Sequence, residues 1–131
     1  MTRVGLVGRL EAMGQNSTSS IQIFGRRKCR VTRKAERFFR DRGIPYQFVD
    51  LDLKAMSAGE LRSVLQSIPA SELIDAESPS YRKRGMAWME FDAEEEIAED
   101  PGLMRTPVVR RGSLAAAGDD PAAWKRLSES G

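Results

Sequence analysis

The apolar residues near the start of the chain follow two different periods. Residues 21–24 (Ile-Gln-Ile-Phe) alternate as in a short β-strand. After a basic loop at residues 26–30, four apolar residues recur at helical spacing on one face: Val31, Ala35, Phe38 and Phe39. Gly43 supplies the C-terminal stop of this helix. Strand-forming residues return at 46–51, which completes a β-α-β unit with two parallel strands.

The pattern from about residue 54 to residue 103 is helical. Ser57 and Glu60 have the spacing of a capping box, and the apolar stripe after them ends at Pro69. Three shorter helical segments are predicted at residues 71–75, 79–84 and 93–99. These segments together form an insertion between the second and third strands.

The C-terminal part of the chain indicates two strands and a helix. Pro107 precedes a strand that starts with Val108 and Val109, and Gly112 with Ser113 forms a tight turn. Residues 114–117 return antiparallel, and Pro121 begins the last helix. The order β-α-β, helical insert, β-β-α predicts a thioredoxin-like α/β fold, with a mixed four-stranded sheet and helices on both faces.

The length and the N-terminal composition define the expected domain organisation. A chain of 131 residues forms about one domain. Residues 1–20 contain a polar stretch and are expected to be a flexible N-terminal extension, which leaves 21–131 as the domain with its insert at about 54–103. No secretory signal and no apolar run of membrane-spanning length is present, so we expect a cytoplasmic protein with no membrane partner.

The composition excludes several kinds of catalysis. The chain has no histidine, which removes histidine-based acid/base chemistry, and the single cysteine cannot form an internal disulfide or a multi-cysteine metal cluster. We therefore expect no metal site. A net charge of +2 requires neither nucleic acid nor lipid as a partner. Tyr81, Trp88 and Phe91 are interpreted as packing residues, and no direct nucleic-acid binding is expected.

Cys29 is the candidate nucleophile. It lies between the first strand and the first helix, where unpaired backbone N–H groups and the helix dipole favour a thiolate. Six positive charges in residues 26–34 act in the same direction. The alternative is a buried, inert cysteine, although flanking by Lys28 and Arg30 does not favour burial.

Several motifs resemble the arsenate reductase/Spx-like branch of the thioredoxin superfamily. Residues 29–35 (Cys-Arg-Val-Thr-Arg-Lys-Ala) are similar to its Cys-x-x-x-Arg/Lys-Lys-Ala start. Further resemblances follow in the same order, at residues 42–51, 57–61 and 100–109. The resemblance covers about residues 21–127, nearly all of the chain beyond the N-terminal extension.

The resemblance implies a site around Cys29. It implies a cis bond between Thr106 and Pro107 packed near the cysteine, with Thr32, Thr106 and Pro107 contacting the thiol or substrate. Arg33 and Arg105 are the implied anion-binding residues, although Arg33 is equally typical of a solvated helix charge. In the reductases of this branch the cysteine attacks arsenate, and glutathione with glutaredoxin regenerates it. No bound cofactor is expected, and glutathione would be a co-substrate.

Three departures from the reductase pattern change the expected activity. Asp75 stands where the family has an arginine, and the anion-binding arginine immediately before the proline is replaced by Thr106. A further family arginine has no clear counterpart in residues 113–118. We therefore expect poor arsenate reduction and a related thiol-dependent oxidoreductase, acting for example on a glutathione adduct.

The alternative function is a transcriptional regulator of the Spx type that binds the RNA polymerase α subunit. Many such regulators carry a Cys-x-x-Cys switch, but Thr32 occupies the second position here, so the redox switch would be absent. The acidic run at residues 90–100 could dock a partner, although such runs more often form a solvated helix face. The protein is expected to be a monomer under either interpretation.

Overall fold

A computed structural model of the chain describes residues 20–129. The expected flexible extension lies, except for Ser20, outside these described residues. Within them the elements in chain order are β1 (Ile21–Gly25), α1 (Arg30–Asp41), β2 (Tyr46–Asp50), α2 (Ala58–Leu65), α3 (Ala70–Leu73), α4 (Pro79–Lys83), α5 (Ala93–Glu99), β3 (Val108–Arg111), β4 (Leu114–Ala117) and α6 (Pro121–Glu129). None of the described helices is both long and apolar enough to cross a bilayer.

The four strands form one mixed sheet in the order β2-β1-β3-β4. β1 and β2 are parallel, with a register that runs from Ile21 opposite Tyr46 to Gly25 opposite Asp50. β3 is antiparallel to both β1 and β4. This topology confirms the β-α-β unit, the β3–β4 hairpin and the predicted fold class.

Two separate hydrophobic cores cover the two faces of the sheet. One core joins α1 and α6 to the sheet, and its buried members are Ile21, Ile23, Ala35, Phe39, Val109, Trp124 and Leu127. The other joins the insert to the opposite face and includes Phe24, Leu61, Val64, Leu73, Ile97, Leu103 and Val108. Because neighbouring strand residues point to opposite faces, Ile23 and Phe24 enter different cores.

Local capping determines where the insert helices begin. Ser57 and Glu60 form the predicted reciprocal capping box at the start of α2. Asp92 accepts a hydrogen bond from the backbone N–H of Glu95 at 3.1 Å and begins α5 at the expected place. The segment predicted at 71–75 is instead the single turn α3, because Ile74 leaves the helix to form an antiparallel bridge with Met104.

The acidic run and the aromatic residues of the insert are partly accounted for by packing within it. Arg84 forms ion pairs with Glu96 and Asp100. The rings of Tyr81 and Phe91 pack edge to face with their centroids 6.3 Å apart. Trp88 differs from the expectation, since it lies in a 3₁₀ turn (Met86–Trp88) and 92% of its surface is exposed.

Candidate functional site

Cys29 lies at the junction of β1 and α1, where its side chain caps the helix. Its backbone is extended, with φ −79° and ψ 118°, and its sulfur accepts a hydrogen bond from the backbone N–H of Thr32 at 3.4 Å. The helix therefore begins at Arg30, one residue before the predicted start at Val31. The Cys29 residue is partly exposed, and its sulfur is held at the helix start by the Thr32 N–H.

A second donor reaches the sulfur from the β3 side of the site. The Thr106–Pro107 peptide bond is cis, and the Thr106 hydroxyl donates to Sγ at 3.4 Å. The Thr106 carbonyl oxygen lies 3.9 Å from Sγ and accepts from the thiol form. The Pro107 carbonyl accepts a hydrogen bond from the backbone N–H of Gly118 at 2.9 Å, which links the turn between β4 and α6 to the start of β3. Residues 77 positions apart in the sequence thus meet at one sulfur.

Thr32 is the buried residue that fixes the first turn of α1 next to Cys29. Its side chain is fully buried, and its hydroxyl accepts a hydrogen bond from the backbone N–H of Arg26 at 3.4 Å. The threonine packs directly against Gly25, because a Cβ added at that glycine would lie 2.4 Å from the Thr32 oxygen. The absence of a side chain at the end of β1 is therefore what lets the first turn of α1 approach the strand.

The surroundings of Cys29 lower the pKa of its thiol. Partial burial raises the pKa, but hydrogen bonds from the Thr106 and Thr32 side chains and from the Thr32 and Val31 backbone N–H groups outweigh burial. The lowered pKa agrees with the sequence-based expectation, but its causes differ in part. Short-range hydrogen bonds account for the shift, rather than direct contacts with the neighbouring cations.

The two predicted anion-binding arginines are both occupied by backbone carbonyl groups. Arg33 donates to the carbonyl of Arg27 at 2.8 Å. Arg105 donates to the carbonyls of Glu72 at 3.1 Å and Ile74 at 3.2 Å, so its guanidinium links β3 to the insert. The backbone N–H of Arg33 donates to the Cys29 carbonyl at 3.2 Å, but within residues 20–129 neither guanidinium group has a hydrogen bond to the Cys29 sulfur.

Two arginines that the sequence analysis counted only among the charges favouring a thiolate organise the loop before Cys29. Arg26 donates to the carbonyl of Pro101 at 2.6 Å and pairs with Asp52 at 3.4 Å. Arg27 pairs with Asp50 at 3.7 Å and stacks over the ring of Phe48. Both guanidinium groups therefore already have partners within the fold. The sequence signal for them is weak, because nothing local links a loop arginine to a carbonyl 75 residues later.

Asp75 is held within the insert by its own backbone and carboxylate hydrogen bonds. Its backbone N–H donates to the carbonyl of Leu103 at 2.7 Å, and its carboxylate accepts from the N–H of Glu77 at 2.9 Å. Ile74 and Met104 form an antiparallel bridge. The chain therefore leaves this bridge toward Asp75 in one direction and toward Thr106 in the opposite direction. Within residues 20–129 no hydrogen bond or ion pair joins Asp75 to Cys29, so the poor arsenate reduction expected from Asp75 rests on the family pattern and not on a contact in the fold.

Two surface grooves lie near these elements. The larger, of about 840 Å³, runs between the insert, β4 and α6 and includes Arg105 in its wall. A smaller one, of about 340 Å³, lies on α1 and is lined by Arg30, Val31, Arg33, Lys34 and Arg37. Within residues 20–129, no three acidic or cysteine side chains cluster closely enough to hold a metal ion.

Solved structures of proteins related to arsenate reductase superpose on this chain. The arsenate reductase from Vibrio cholerae matches with a TM-score of 0.71 and 19% identity, over 82% of this chain and 97% of its own. A protein related to the ArsC family from Bacteroides fragilis matches with a TM-score of 0.74 and 16% identity, over 82% and 97%. An arsenate reductase related protein from Brucella melitensis matches with a TM-score of 0.61 and 24% identity, over 85% and 96%.

These likenesses define the class of fold. The chain has the thioredoxin-like architecture of the arsenate reductase-related structures, as the sequence resemblance predicted. No protein-family model and no curated protein sequence matches the chain. At identities of 16–24% the structural neighbours establish the fold, and the activity has to be argued from the site.

Proposed function

We propose that the protein is a thiol-dependent oxidoreductase of the arsenate reductase-like type, with Cys29 as its single nucleophile. The observation that carries the proposal is the hydrogen bonding of Sγ by the Thr32 N–H and the Thr106 hydroxyl, each at 3.4 Å. These donors stabilise the thiolate, which is the attacking form. Partial exposure of the cysteine leaves a path for substrate.

The chemistry that fits a single cysteine is exchange with a mixed disulfide. The Cys29 thiolate attacks the glutathione sulfur of a substrate R–S–S–G, a new S–S bond joins Cys29 to glutathione, and the substrate leaves as a thiolate that takes a proton from water. The thiolate of a second glutathione then attacks the glutathione sulfur, so that oxidised glutathione leaves and Cys29 is again a thiolate. In the net reaction, R–S–S–G and one glutathione thiol become R–SH and oxidised glutathione.

The reductant follows from the absence of a second cysteine. With one cysteine in the chain, no internal resolving thiol is available, so an external thiol must release the adduct. Glutathione, alone or through glutaredoxin, supplies such a thiol in a reducing cytoplasm, which is the compartment that we propose for this protein. The protein itself binds no cofactor in this scheme.

Arsenate is a poor substrate in this proposal. An oxyanion beside a thiolate needs several cationic or N–H donors, and loss of one such donor typically lowers the rate by about 10²–10³. Arg33 and Arg105 donate to the carbonyls of Arg27, Glu72 and Ile74. The helix N–H of Thr32 already donates to Sγ. An incoming arsenate would have to displace these bonds.

The test is a glutathione-coupled assay with the mixed disulfide of glutathione and 2-mercaptoethanol as substrate. We expect turnover by the wild type, none by Cys29→Ser, and unchanged turnover by the control Ser113→Ala, whose side chain is exposed on the β3–β4 turn. With arsenate in place of the disulfide we expect negligible turnover. Equal activity of wild type and Cys29→Ser would refute the proposal.

The same variants test the regulator alternative. A regulator of the Spx type would bind purified RNA polymerase α subunit equally well as wild type and as Cys29→Ser. Binding of this kind, together with no turnover of the mixed disulfide, would replace the oxidoreductase proposal. The acidic run offers it little support, since Asp92, Glu96 and Asp100 make caps and ion pairs within the insert.

A further inference from the structure

The exposed face of α1 is almost entirely cationic. Six of the twelve helix residues are exposed, and five of them are basic: Arg30, Arg33, Lys34, Arg37 and Arg40. The sixth is Asp41, in the last turn of the helix. We call these five residues the α1 stripe. Four of them line the groove of about 340 Å³ that begins one residue after Cys29.

The N-terminal end of the stripe is opposed by the dipole of its own helix. The N-terminus of a helix carries a partial positive charge, and acidic residues are favoured there. The first turn of α1 has no acidic residue and contains Arg30. By contrast, the first turn of α5 contains Glu94, Glu95 and Glu96. Arg30 at the start of α1 therefore does not stabilise the helix through its dipole, whereas Arg40 in the last turn does.

Part of the stripe lacks partners within the fold. Lys34 pairs with Asp119 at 2.9 Å, and Arg40 donates to the Tyr46 hydroxyl at 3.4 Å. Among residues 20–129, the side chains of Arg30 and Arg37 have neither a hydrogen bond nor an ion pair. Lys28, next to the cysteine, is likewise unpaired within this part of the chain. These three guanidinium and ammonium groups are free for an external anionic partner.

The length of the stripe decides what kind of partner it fits. Arg30 is at the cysteine, but Arg37 lies eight residues beyond Cys29, which is about 12 Å along the helix axis. A fully extended tripeptide is only about 10 Å long, and the thiol of glutathione is on its central residue. The chain of a glutathione bound at Sγ therefore spans the first turn at Arg30 and ends short of the Arg37 backbone. An acidic protein surface can contact both.

We propose that the α1 stripe docks an acidic protein that carries the thiol or disulfide exchanging with Cys29. This inference rests on the proposed function, because it names the recognition of the exchange partner at the same site. The unpaired cations steer an acidic surface toward the helix, and the sulfur at the helix start then meets the partner's sulfur.

The test uses two peptide probes of about ten residues, about 33 Å when extended. Each has a central cysteine activated as a 2-thiopyridyl disulfide, and the flanking residues are Glu in one and Gln in the other. The Cys29 thiolate attacks the peptide sulfur, forming a Cys29–peptide disulfide and releasing 2-thiopyridone, whose absorbance gives the rate. At about 0.01 M salt, where screening extends over about 30 Å, we expect the acidic probe to react at least about tenfold faster than the neutral one.

Two variants separate the stripe from general effects. Arg37→Gln should lower the rate with the acidic probe about two- to threefold and leave the neutral probe unchanged. Arg62→Gln is the matched control, because Arg62 is exposed on α2, a helix bonded through Ser63 to the β3–β4 turn at the opposite end of the sheet from Cys29. It should change neither rate. A pH profile of iodoacetamide alkylation and a melting curve check that Arg37→Gln alters neither the Cys29 pKa nor the fold.

The outcomes separate the two proposals. Fast reaction of Cys29 with the neutral probe, but no preference for the acidic one, overturns the docking proposal and leaves the oxidoreductase proposal standing. A preference that responds to Arg30→Gln but not to Arg37→Gln also overturns it, because the site would then fit glutathione. Reaction no faster than that of free cysteine with either probe overturns both. A preference that disappears at about 1 M salt and in Arg37→Gln supports the stripe as the docking surface.

Discussion

The starts of α1 and α5 use the same backbone feature for different purposes. Asp92 caps α5 with a carboxylate, and three glutamates follow in its first turn, so the positive end of the helix is neutralised by its own residues. Cys29 caps α1 with a sulfur, and the first turn contains a cation instead. The start of α5 is built for stability. The start of α1 leaves its N–H groups for a thiolate and its surface charge for a partner.

The close contact between β1 and α1 offers the strongest way to disrupt this arrangement. We expect Gly25→Ala to lower the free energy of unfolding by about 1–3 kcal/mol, because the new Cβ would meet the Thr32 hydroxyl at 2.4 Å. Cys29 should also react more slowly, since the displaced Thr32 carries its cap donor. Urea denaturation and alkylation rates measure the two effects.

Gly59→Ala is the matched control for Gly25→Ala. A Cβ at Gly59 would have only the Arg62 guanidinium nearby, at 3.9 Å. Because Gly59 lies inside α2, alanine there should raise the unfolding free energy by about 0.4–1 kcal/mol. If the two variants were equally stable, the account of the junction between β1 and Thr32 would be wrong.

The Thr106 hydroxyl is the next point of attack. In Thr106→Val a donor to Sγ is lost, so the Cys29 pKa should rise toward that of a free cysteine, about 8.5. At pH values below the Cys29 pKa of both proteins, the variant has a smaller thiolate fraction than the wild type, by a factor set by the difference between the two pKa values. We therefore expect alkylation of the variant to be about three- to tenfold slower. Well above both pKa values the two rates should converge. Parallel pH profiles without convergence would point to lost access rather than to a changed pKa.

Asp92→Ala addresses the other half of the comparison. Removal of this cap should lower the unfolding free energy by about 1 kcal/mol, as is typical of an N-cap aspartate. The alkylation rate of Cys29 should stay at the wild-type value, because α5 makes no contact with the sulfur. A slower Cys29 in this variant would show that the two helix starts are coupled.

The smallest expected effect comes from giving α1 an acidic first turn like that of α5. Arg30→Glu places a carboxylate at the helix start and should raise the unfolding free energy by about 0.3–1 kcal/mol at low salt. The same charge should raise the Cys29 pKa and slow its alkylation near neutral pH. A variant that is less stable than the wild type would contradict the view that Arg30 opposes the helix dipole.

Much of this molecule follows from local sequence patterns. Several elements depend on residues within one or two turns of each other. They are the capping box at Ser57, the N-cap at Asp92, the alternation in β1 and the apolar face of α1. Such local determinants place the elements to within one or two residues. The position of Cys29 between a strand and a helix is of the same kind, so the candidate nucleophile could be named before any contact was known.

The tertiary structure alone decides which groups act on the sulfur. Thr106 meets Cys29 across 77 residues, and the sequence pointed to it only through a family resemblance. The guanidinium groups of Arg33 and Arg105 turned to backbone carbonyls, because a long, flexible side chain goes to whichever acceptor the fold brings near. Periodicity and capping are short-range and therefore readable in sequence. The direction of a side chain at a site depends on partners brought close only by folding.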